Sequence, residues 1–554
     1  MDRQPRLLHT SSVVSSIEEK RMGDQNYDFI VVGGGSAGCV LANRLSESGD
    51  HRVLLLEAGP RSHFLERVPI SYSQFIDNPA VNWCFMSKPE DSTGGRPIPV
   101  PRGRMLGGSS AINGLVFVRG QALDYDSWAQ MGNRGWSYDD VLPIFKRLES
   151  YQGGDGELRG RSGPLRLTEA YDRSPLYDAW FAAGEEVGLK RNPDYNGADQ
   201  EGICRTQATI HNGWRMSASR CYIDPARRRA NLDIQCDAHV ESLLLEEKRC
   251  TGLRYRVGNE SREAHARREV VLCAGSINSP QILELSGIGR AEVLGAQGIQ
   301  VRHALDGVGE NLRDHYVPRL RWDITQRGVT FNDRARGFGL AWQILRYALT
   351  RRGFLALPSS PILAFLRTRP ELQAPDVQLH FIPFAIEHIK KRKLAPEPGM
   401  TIAMCQLRPE SKGSIHIGNP DPMIAPDIRF NFLSAALDRD TLVAGVRAAR
   451  RIVEAKAMDG FRGAEVSPGP DVQSDAEILD YIRASAQTAY HPVGTCKMGS
   501  DAMAVVDPEL KVRGIEGLRV ADGSIMPTLM SGNTNGPIIM IGEKASDMML
   551  AAWR

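Results

Sequence analysis

The chain has 554 residues, 42% of them apolar and 24% charged, with a formal net charge of +2. At roughly 100–200 residues per folding unit, that length calls for two to four units of ordinary globular composition. The small net charge argues against a nucleic-acid binder, and nine cysteines without a C-x-x-C pair argue against a disulfide scaffold and fit a reducing compartment.

Residues 1–26 are rich in Ser, with scattered Arg and no apolar core, so they lack the central run of a secretory signal. Asp2, Glu18, Glu19 and Asp24 weaken a transit-peptide reading, and a disordered extension is expected. The next stretch, "YDFIVVGGGSAGCVLANRLSESGDHRVLLLEAGP", is the most informative in the chain. Phe29 to Val32 reads as a buried parallel strand. Gly33-x-Gly35-x-x-Gly38 then opens a helix, and a second strand ends at Glu57, 19 residues past Gly38. This is a βαβ dinucleotide fingerprint in its required context. Gly33 allows the tight turn, and Gly35, with Ser36 and Ala37 following, exposes N–H groups to a pyrophosphate. Gly38 lets helix and strand close up, and Glu57 can accept from an adenosine ribose. Gly34 to Gly38 also reads G-x-S-x-G, a hydrolase nucleophile elbow. Only 33 residues precede it, too few for the strands and oxyanion loop such a fold needs. This segment alone does not choose between NAD and FAD.

Further on, "GRMLGGSSAINGLVFVRGQALDYD" offers paired glycines and serines suited to a second phosphate or a flavin edge. "REVVLCAGSINSPQILELSGIG" reads as strand, turn and helix. "FGLAWQILRYALTRRGFLAL" (338–357) is interrupted by Arg346, Arg351 and Arg352; it reads as an amphipathic surface helix rather than a span, with membrane contact the alternative. "DVQLHFIPF", "MTIAMCQLRP" and "GSIHI" read as strands, and "LDRDTLVAGVRAARRIVEAKAM" as a helix. In "AYHPVGTCKMG", Pro492 disfavours the helical region for His491 and Gly494 permits a sharp turn, so the imidazole sits on a stiff segment. In "LRVADGS" a short strand delivers Asp522 to a turn. Among the other histidines, His380 and His416 read as sheet or loop residues, and no cluster suggests a metal.

With these segments in this order from Tyr27 nearly to the end, the chain resembles the glucose–methanol–choline (GMC) oxidoreductases, FAD enzymes that oxidise alcohols. The "GGSS" segment, with Gly108 and Asn113, and "GSINSPQILELSGIG" match both of that family's signature patterns. The resemblance implies that Asp522 hydrogen-bonds the phosphate–ribityl region and that the Val240 backbone meets the adenine. It implies that His491 is the catalytic base and that Tyr490 lines the pocket or the flavin edge. Relatives carry His or Asn six residues past the proline of "PTLMSGNTNGP"; here that residue is Asn533, an amide that can orient the substrate oxygen, with Asn535 the alternative if the register shifts. His315 falls in a family segment without a proton-transfer role. Some relatives attach FAD through a histidine just before the asparagine of the "GGSS" segment. Ile112 stands there, so FAD is expected to be non-covalent.

The implied fold is α/β. A discontinuous Rossmann-like FAD-binding domain spans 27–165, 231–316 and 485–554, and an α+β substrate-binding domain spans 166–230 and 317–484, its antiparallel sheet over the flavin. The implied activity is oxidation of a primary alcohol to an aldehyde, with hydride to flavin N5 and electrons to a quinone, carrier protein or O₂. The family's lyases and photodecarboxylases are the alternative. The location expected is cytoplasmic, with peripheral contact to the inner membrane open. Trp83, Tyr72 and Phe85 are the candidate walls for a quaternary ammonium such as choline.

Overall fold

A computed structural model describes residues 26–388 and 393–553. The extension expected over 1–26 lies outside the described residues except for Asn26, which opens the first strand. That strand, β1 (Asn26–Val32), carries the fully buried run Phe29–Ile30–Val31. The glycine turn leads into α1 (Ser36–Leu45), and β2 (Val53–Leu56) returns parallel to β1, with Phe29–Val32 opposite Val53–Leu56. The long strand β3 (Glu260–Leu272) lies on the other side of β1, also parallel.

The free edge of β3 is divided. Its C-terminal end, Val270–Leu272, pairs parallel with Leu518–Val520, while its N-terminal end pairs antiparallel with Arg249–Val257. Leu232–Gln235 extends the sheet beyond β2, and Ala238–Glu246 extends it beyond Arg249–Val257. Phe29–Val32 of β1 and all of β2 are buried on both faces, which is why they read as continuous apolar runs, whereas β3 alternates until its buried end at Val270–Leu272. From the end of β3 the chain turns into α2 (Gly275–Leu285).

The second sheet has six strands, all antiparallel, in the order Arg462–Ser467, Arg319–Ile324, Gly399–Gln406, Val377–Ile382, Ile362–Leu366, Gly202–Arg205. Helix Ala436–Glu454 packs its apolar stripe, including Leu442, Val446, Ala449 and Ile452, into the core beneath this sheet. Two of the three expected strands lie in this sheet. The third, Ser414–His416, pairs only with Asp427–Arg429, because its Ile415 N–H is taken by Gly309 O (2.7 Å), which ties it to a loop instead. The helix α3 (Gly337–Thr350) leaves this unit toward solvent. The last helix, α4 (Asn535–Ala552), packs on α1, with Gly542 close to the Ala37 carbonyl. The strands of the two sheets therefore come from interleaved stretches of chain.

Candidate active site

A cavity of about 120 Å³ runs along the ends of β1, β2 and β3. Gly33, Gly35, Ser36, Ala37, Glu57, Gly108, Val240 and Asp522 all line it; Gly38, Asn113 and Tyr490 do not. Gly38 acts by closeness: a Cβ there would sit 1.9 Å from Gly33 O. The N-cap of α1 is Gly35, which supplies no side-chain acceptor, so the first N–H groups of the helix are left for a ligand at its positive end. The two glycine turns touch directly, Gly107 N–H donating to Gly34 O (2.7 Å). Gly108 stands at φ +52 with its Cα face against Gly35.

Glu57 is held by two backbone donors, Gly34 N–H and Gly59 N–H, each at 2.9 Å, while burial pushes its carboxyl up. Asp522 accepts from Gly275 N–H (2.8 Å), the Ser279 hydroxyl (2.6 Å) and Ser524 N–H (2.8 Å). Its carboxylate thus clamps the start of α2 to the C-terminal strand. Asn113 accepts from Leu115 N–H (3.2 Å) and from the buried Arg215 guanidinium (2.9 Å), which places it behind the glycine loop. Glycines where side chains would clash, uncapped helix N–H groups and a buried acid at the end of β2 fit a dinucleotide, so these residues suit FAD.

His491 immediately precedes Pro492, which lines the cavity wall. The backbone there is bent at two places: Gly494 at φ +92, as its sequence suggests, and Tyr490 at φ +68, which sequence gave no sign of. Tyr490 is held in this costly conformation from both sides, its N–H donating to the Thr488 hydroxyl (2.7 Å) and its carbonyl accepting from Arg102 (2.7 Å). The His491 N–H donates to Asp314 (3.0 Å), which also accepts from the Thr488 hydroxyl. Burial pushes the Asp314 carboxyl up to about 7.

The hydrogen-bond chain through the rings has one consistent direction. His315 Nε2 lies 3.3 Å from the Leu407 carbonyl, which can only accept, so Nε2 carries the proton. Burial pushes His315 down to about 4, so the ring is neutral and its Nδ1 is bare. That Nδ1 lies 3.0 Å from His491 Nδ1, which must therefore donate. Burial, then His315, His380 and Arg102, hold His491 well below the usual imidazole range, so it too is neutral and its Nε2 keeps a lone pair. Asn533 Nδ2 points at that lone pair from 3.1 Å, and Asn533 Oδ1 accepts from Gln378 (3.3 Å). The other amide atom of Gln378, Oε1, is a buried acceptor without a protein partner.

His315, His380 and Gln378 were not singled out as site residues by sequence. Gln378 and His380 share one face of their strand by alternation, and only the pairing of the sheet brings that face to His491. Burial, then His315 and Arg319, push His380 down to about 3. Asn535 is engaged elsewhere, its Oδ1 accepting from the Ser36 hydroxyl (2.7 Å) at the start of α1. The three candidate cage aromatics are not gathered at His491. Trp83 lines the nucleotide cavity and stacks on Phe85 at 5.6 Å, and Tyr72 starts a short helix elsewhere.

Family models described as GMC oxidoreductase match residues 27–317 and 409–542. The chain belongs to the GMC oxidoreductases. It is 42% identical over 532 residues to a protein of Vibrio vulnificus (strain YJ016) named oxygen-dependent choline dehydrogenase, covering 95% of this chain and 94% of that one. Among solved structures it is similar to pyridoxine 4-oxidase from Mesorbium loti, at TM-score 0.86 and 30% identity, covering 94% of this chain and 98% of that one. It is likewise similar to an FAD-dependent oxidoreductase from Chaetomium thermophilum, at TM-score 0.88 and 27% identity, covering 96% and 100%. As a GMC oxidoreductase the chain is an FAD-dependent flavoprotein, and Ile112 leaves no histidine for covalent attachment at that position.

Proposed function

We propose that this GMC oxidoreductase oxidises a neutral primary alcohol to an aldehyde, with His491 as the base and Asn533 holding the substrate oxygen. The residues named along the nucleotide cavity would hold FAD, which supplies the hydride acceptor. The observation that carries the reading is the ring chain that leaves a lone pair on His491 Nε2. A base must be neutral before it can take the hydroxyl proton, and burial makes His491 so without any outside change. Asn533 faces that same nitrogen from 3.1 Å, so a hydroxyl seated against both would donate to His491 in place of the amide and accept from the amide. Such fixed donors stabilise developing charge on the oxygen.

The sheet face above the pair supports the choice of substrate class. Around His380 the residues sharing that face are Leu363, Gln378, Ile382, Ala403, Cys405 and Arg319. None is a carboxylate, and Arg319 is a cation. A quaternary ammonium would meet no counter-charge here, which favours a neutral alcohol over choline despite the relative's name. We propose a quinone or other carrier as electron acceptor. O₂ is the second reading, favoured by relatives named oxygen-dependent and oxidase.

The test is anaerobic mixing of the flavoprotein with short and long primary alcohols and with choline, followed by the flavin's visible absorbance. Neutral alcohols are expected to bleach it and choline to do so poorly. His491→Ala should keep its FAD and slow the bleaching by about 10²–10⁴-fold. Bleaching by no alcohol sinks the reaction class, and a wild-type rate in His491→Ala sinks the assignment of the base. Oxygen uptake with the active alcohol separates the two acceptors.

A further inference from the structure

The most apolar stripe of α3 points away from the protein. Phe338, Trp342, Leu345 and Leu349 recur at spacings of four, three and four residues, so they form one line along the helix. They are exposed by 96%, 61%, 49% and 75%. The opposite side holds the helix down. Tyr347 is buried, its hydroxyl donating to Gly213 O (2.8 Å) and its ring edge-on to Trp214, and Leu340 packs on the Phe331–Phe354 cluster. A surface helix ordinarily turns its apolar stripe inward; this one is anchored through Leu340 and Tyr347 on its other side and presents its stripe to solvent. The helix is well formed nonetheless, closed at its C-terminus by Arg351 at φ +57, whose N–H donates to Tyr347 O (2.8 Å).

The charges beside the stripe are all of one sign. The helix has no acidic residue. Arg346 lies next to Leu345, and Arg336 and Arg352 bracket the two ends; all three are exposed, though Arg336 donates to the carbonyls of Leu394, Ala395 and Pro396. Among the described residues, none of the three is in an ion pair. The acid nearest to the helix in sequence, Asp333, is turned back to Gly328 N–H (3.0 Å) and the Thr330 hydroxyl (2.9 Å).

We infer that α3 is a docking surface for an anionic lipid bilayer, lying in the plane of the interface with Phe338, Trp342, Leu345 and Leu349 among the acyl chains and Arg346 and Arg352 on the headgroups. An apolar stripe with an aromatic pair and flanking guanidinium groups is the arrangement such a surface selects. Among the described residues no helix is long and apolar enough to cross a membrane, so the contact is peripheral. A second copy of the chain fits less well. A twofold contact through the stripe would set arginines against their own copies. Four side chains one helix wide also fall short of the ~800 Å² per partner of a stable interface.

The full-length holoenzyme is to be sedimented with vesicles of phosphatidylcholine alone and of phosphatidylcholine mixed with phosphatidylglycerol. Binding to the mixed vesicles is expected, weaker in high salt and much weaker on phosphatidylcholine alone. The double variant F338E/L349E should lose binding to both, with FAD content and turnover of a soluble alcohol with a soluble dye unchanged. R346Q/R352Q should weaken binding to the anionic vesicles by about five-fold for each arginine removed. Failure of the wild type to bind anionic vesicles, or F338E/L349E binding as the wild type does, overturns the inference. So does a dimer in light scattering that F338E/L349E turns into a monomer, because the stripe would then be covered by a second copy. The vesicle-binding, FAD-content and light-scattering readouts do not depend on the alcohol-oxidation reading.

Discussion

Replacing His315 by alanine isolates the ring chain from His491, the proposed base. The substitution removes the acceptor that lies 3.0 Å from His491 Nδ1 and leaves that N–H buried without a partner. A neutral imidazole escapes this by moving its proton to Nε2, the atom that must be bare to receive the substrate's proton. The bias lost is that of one hydrogen bond, about 0.5–1.5 kcal/mol, which lowers the competent tautomer by about 2–12-fold. Loosening of the ring adds to this, so about a ten-fold fall in the limiting rate of flavin reduction is expected, with FAD content and KM little changed. His315→Asn restores an acceptor oxygen close to the lost Nδ1 and should recover most of the rate. The assay is anaerobic stopped-flow reduction at saturating alcohol, with thermal unfolding to confirm that each variant is folded. Wild-type reduction in His315→Ala, or an Asn variant no faster than the Ala variant, refutes the tautomer argument.

Gly108→Ala should strip the protein of FAD, because the residue stands at φ +52 and a Cβ there would lie 2.7 Å from Gly35 Cα. The ratio of flavin to protein absorbance after purification measures this, and a normal ratio would count against the glycine–glycine contact as part of the cofactor cradle. The histidines near the site should make stability depend on pH. His315 is pushed down to about 4 and His380 to about 3, from an ordinary 6.5. Both folded values are depressed, so the unfolded chain takes up protons first; their contribution is complete above pH 6.5 and is lost as pH falls toward 4 and 3. At about 1.36 kcal/mol per pKa unit this is on the order of 3 and 5 kcal/mol. Asp314, raised to about 7, acts the other way, its contribution falling as pH rises from about 4 to 7, so the three partly offset. Urea unfolding between pH 4 and 6.5 should show stability rising with pH, and His380→Leu should flatten that rise; an unchanged slope in the variant would refute the assignment.

Local sequence carried the nucleotide half of the site because its determinants are local. A strand, three glycines, a helix start and an acid at the end of the next strand lie within one βαβ unit, and each does its work within that unit. Asp522 is different. Its place among the cavity residues came from the family resemblance, while its actual partners, Gly275 and Ser279, lie some 250 positions away and join only when Leu518–Val520 pairs with β3. The same holds for His315 and Gln378. Nothing in "GENLRDHY" or "DVQLHFIPF" marks a residue that will touch His491 or Asn533, because those contacts depend on how distant strands pair, Tyr316–Val317 with Gln487–Thr488 for His315 and the antiparallel sheet for Gln378. Tyr490 shows the limit within a loop: its φ of +68 is set by Thr488 and Arg102 rather than by its own side chain, which ordinarily avoids that region.

The helix at 337–350 exposes a further limit, of a different kind. Its periodicity gives an apolar line and an opposite face, but periodicity has no sign: the same pattern describes a stripe packed on a core and a stripe turned outward. What fixes the sign here is Tyr347, whose hydroxyl reaches Gly213 and whose ring meets Trp214, so the side with the polar-tipped aromatic is the anchored one. Turning the helix over would bury Arg346 and free Tyr347, exchanging an exposed guanidinium for a buried unpaired charge. Burying a charge without a partner costs several kcal/mol, which offsets a large part of the about 1.5–3 kcal/mol that burial of each apolar side chain would contribute. The outward stripe is therefore set by the Tyr347 anchor, with Arg346 opposing the inverted arrangement. A protein that keeps its cations wet on this side keeps its phenyl and indole rings wet with them until something apolar and anionic is met.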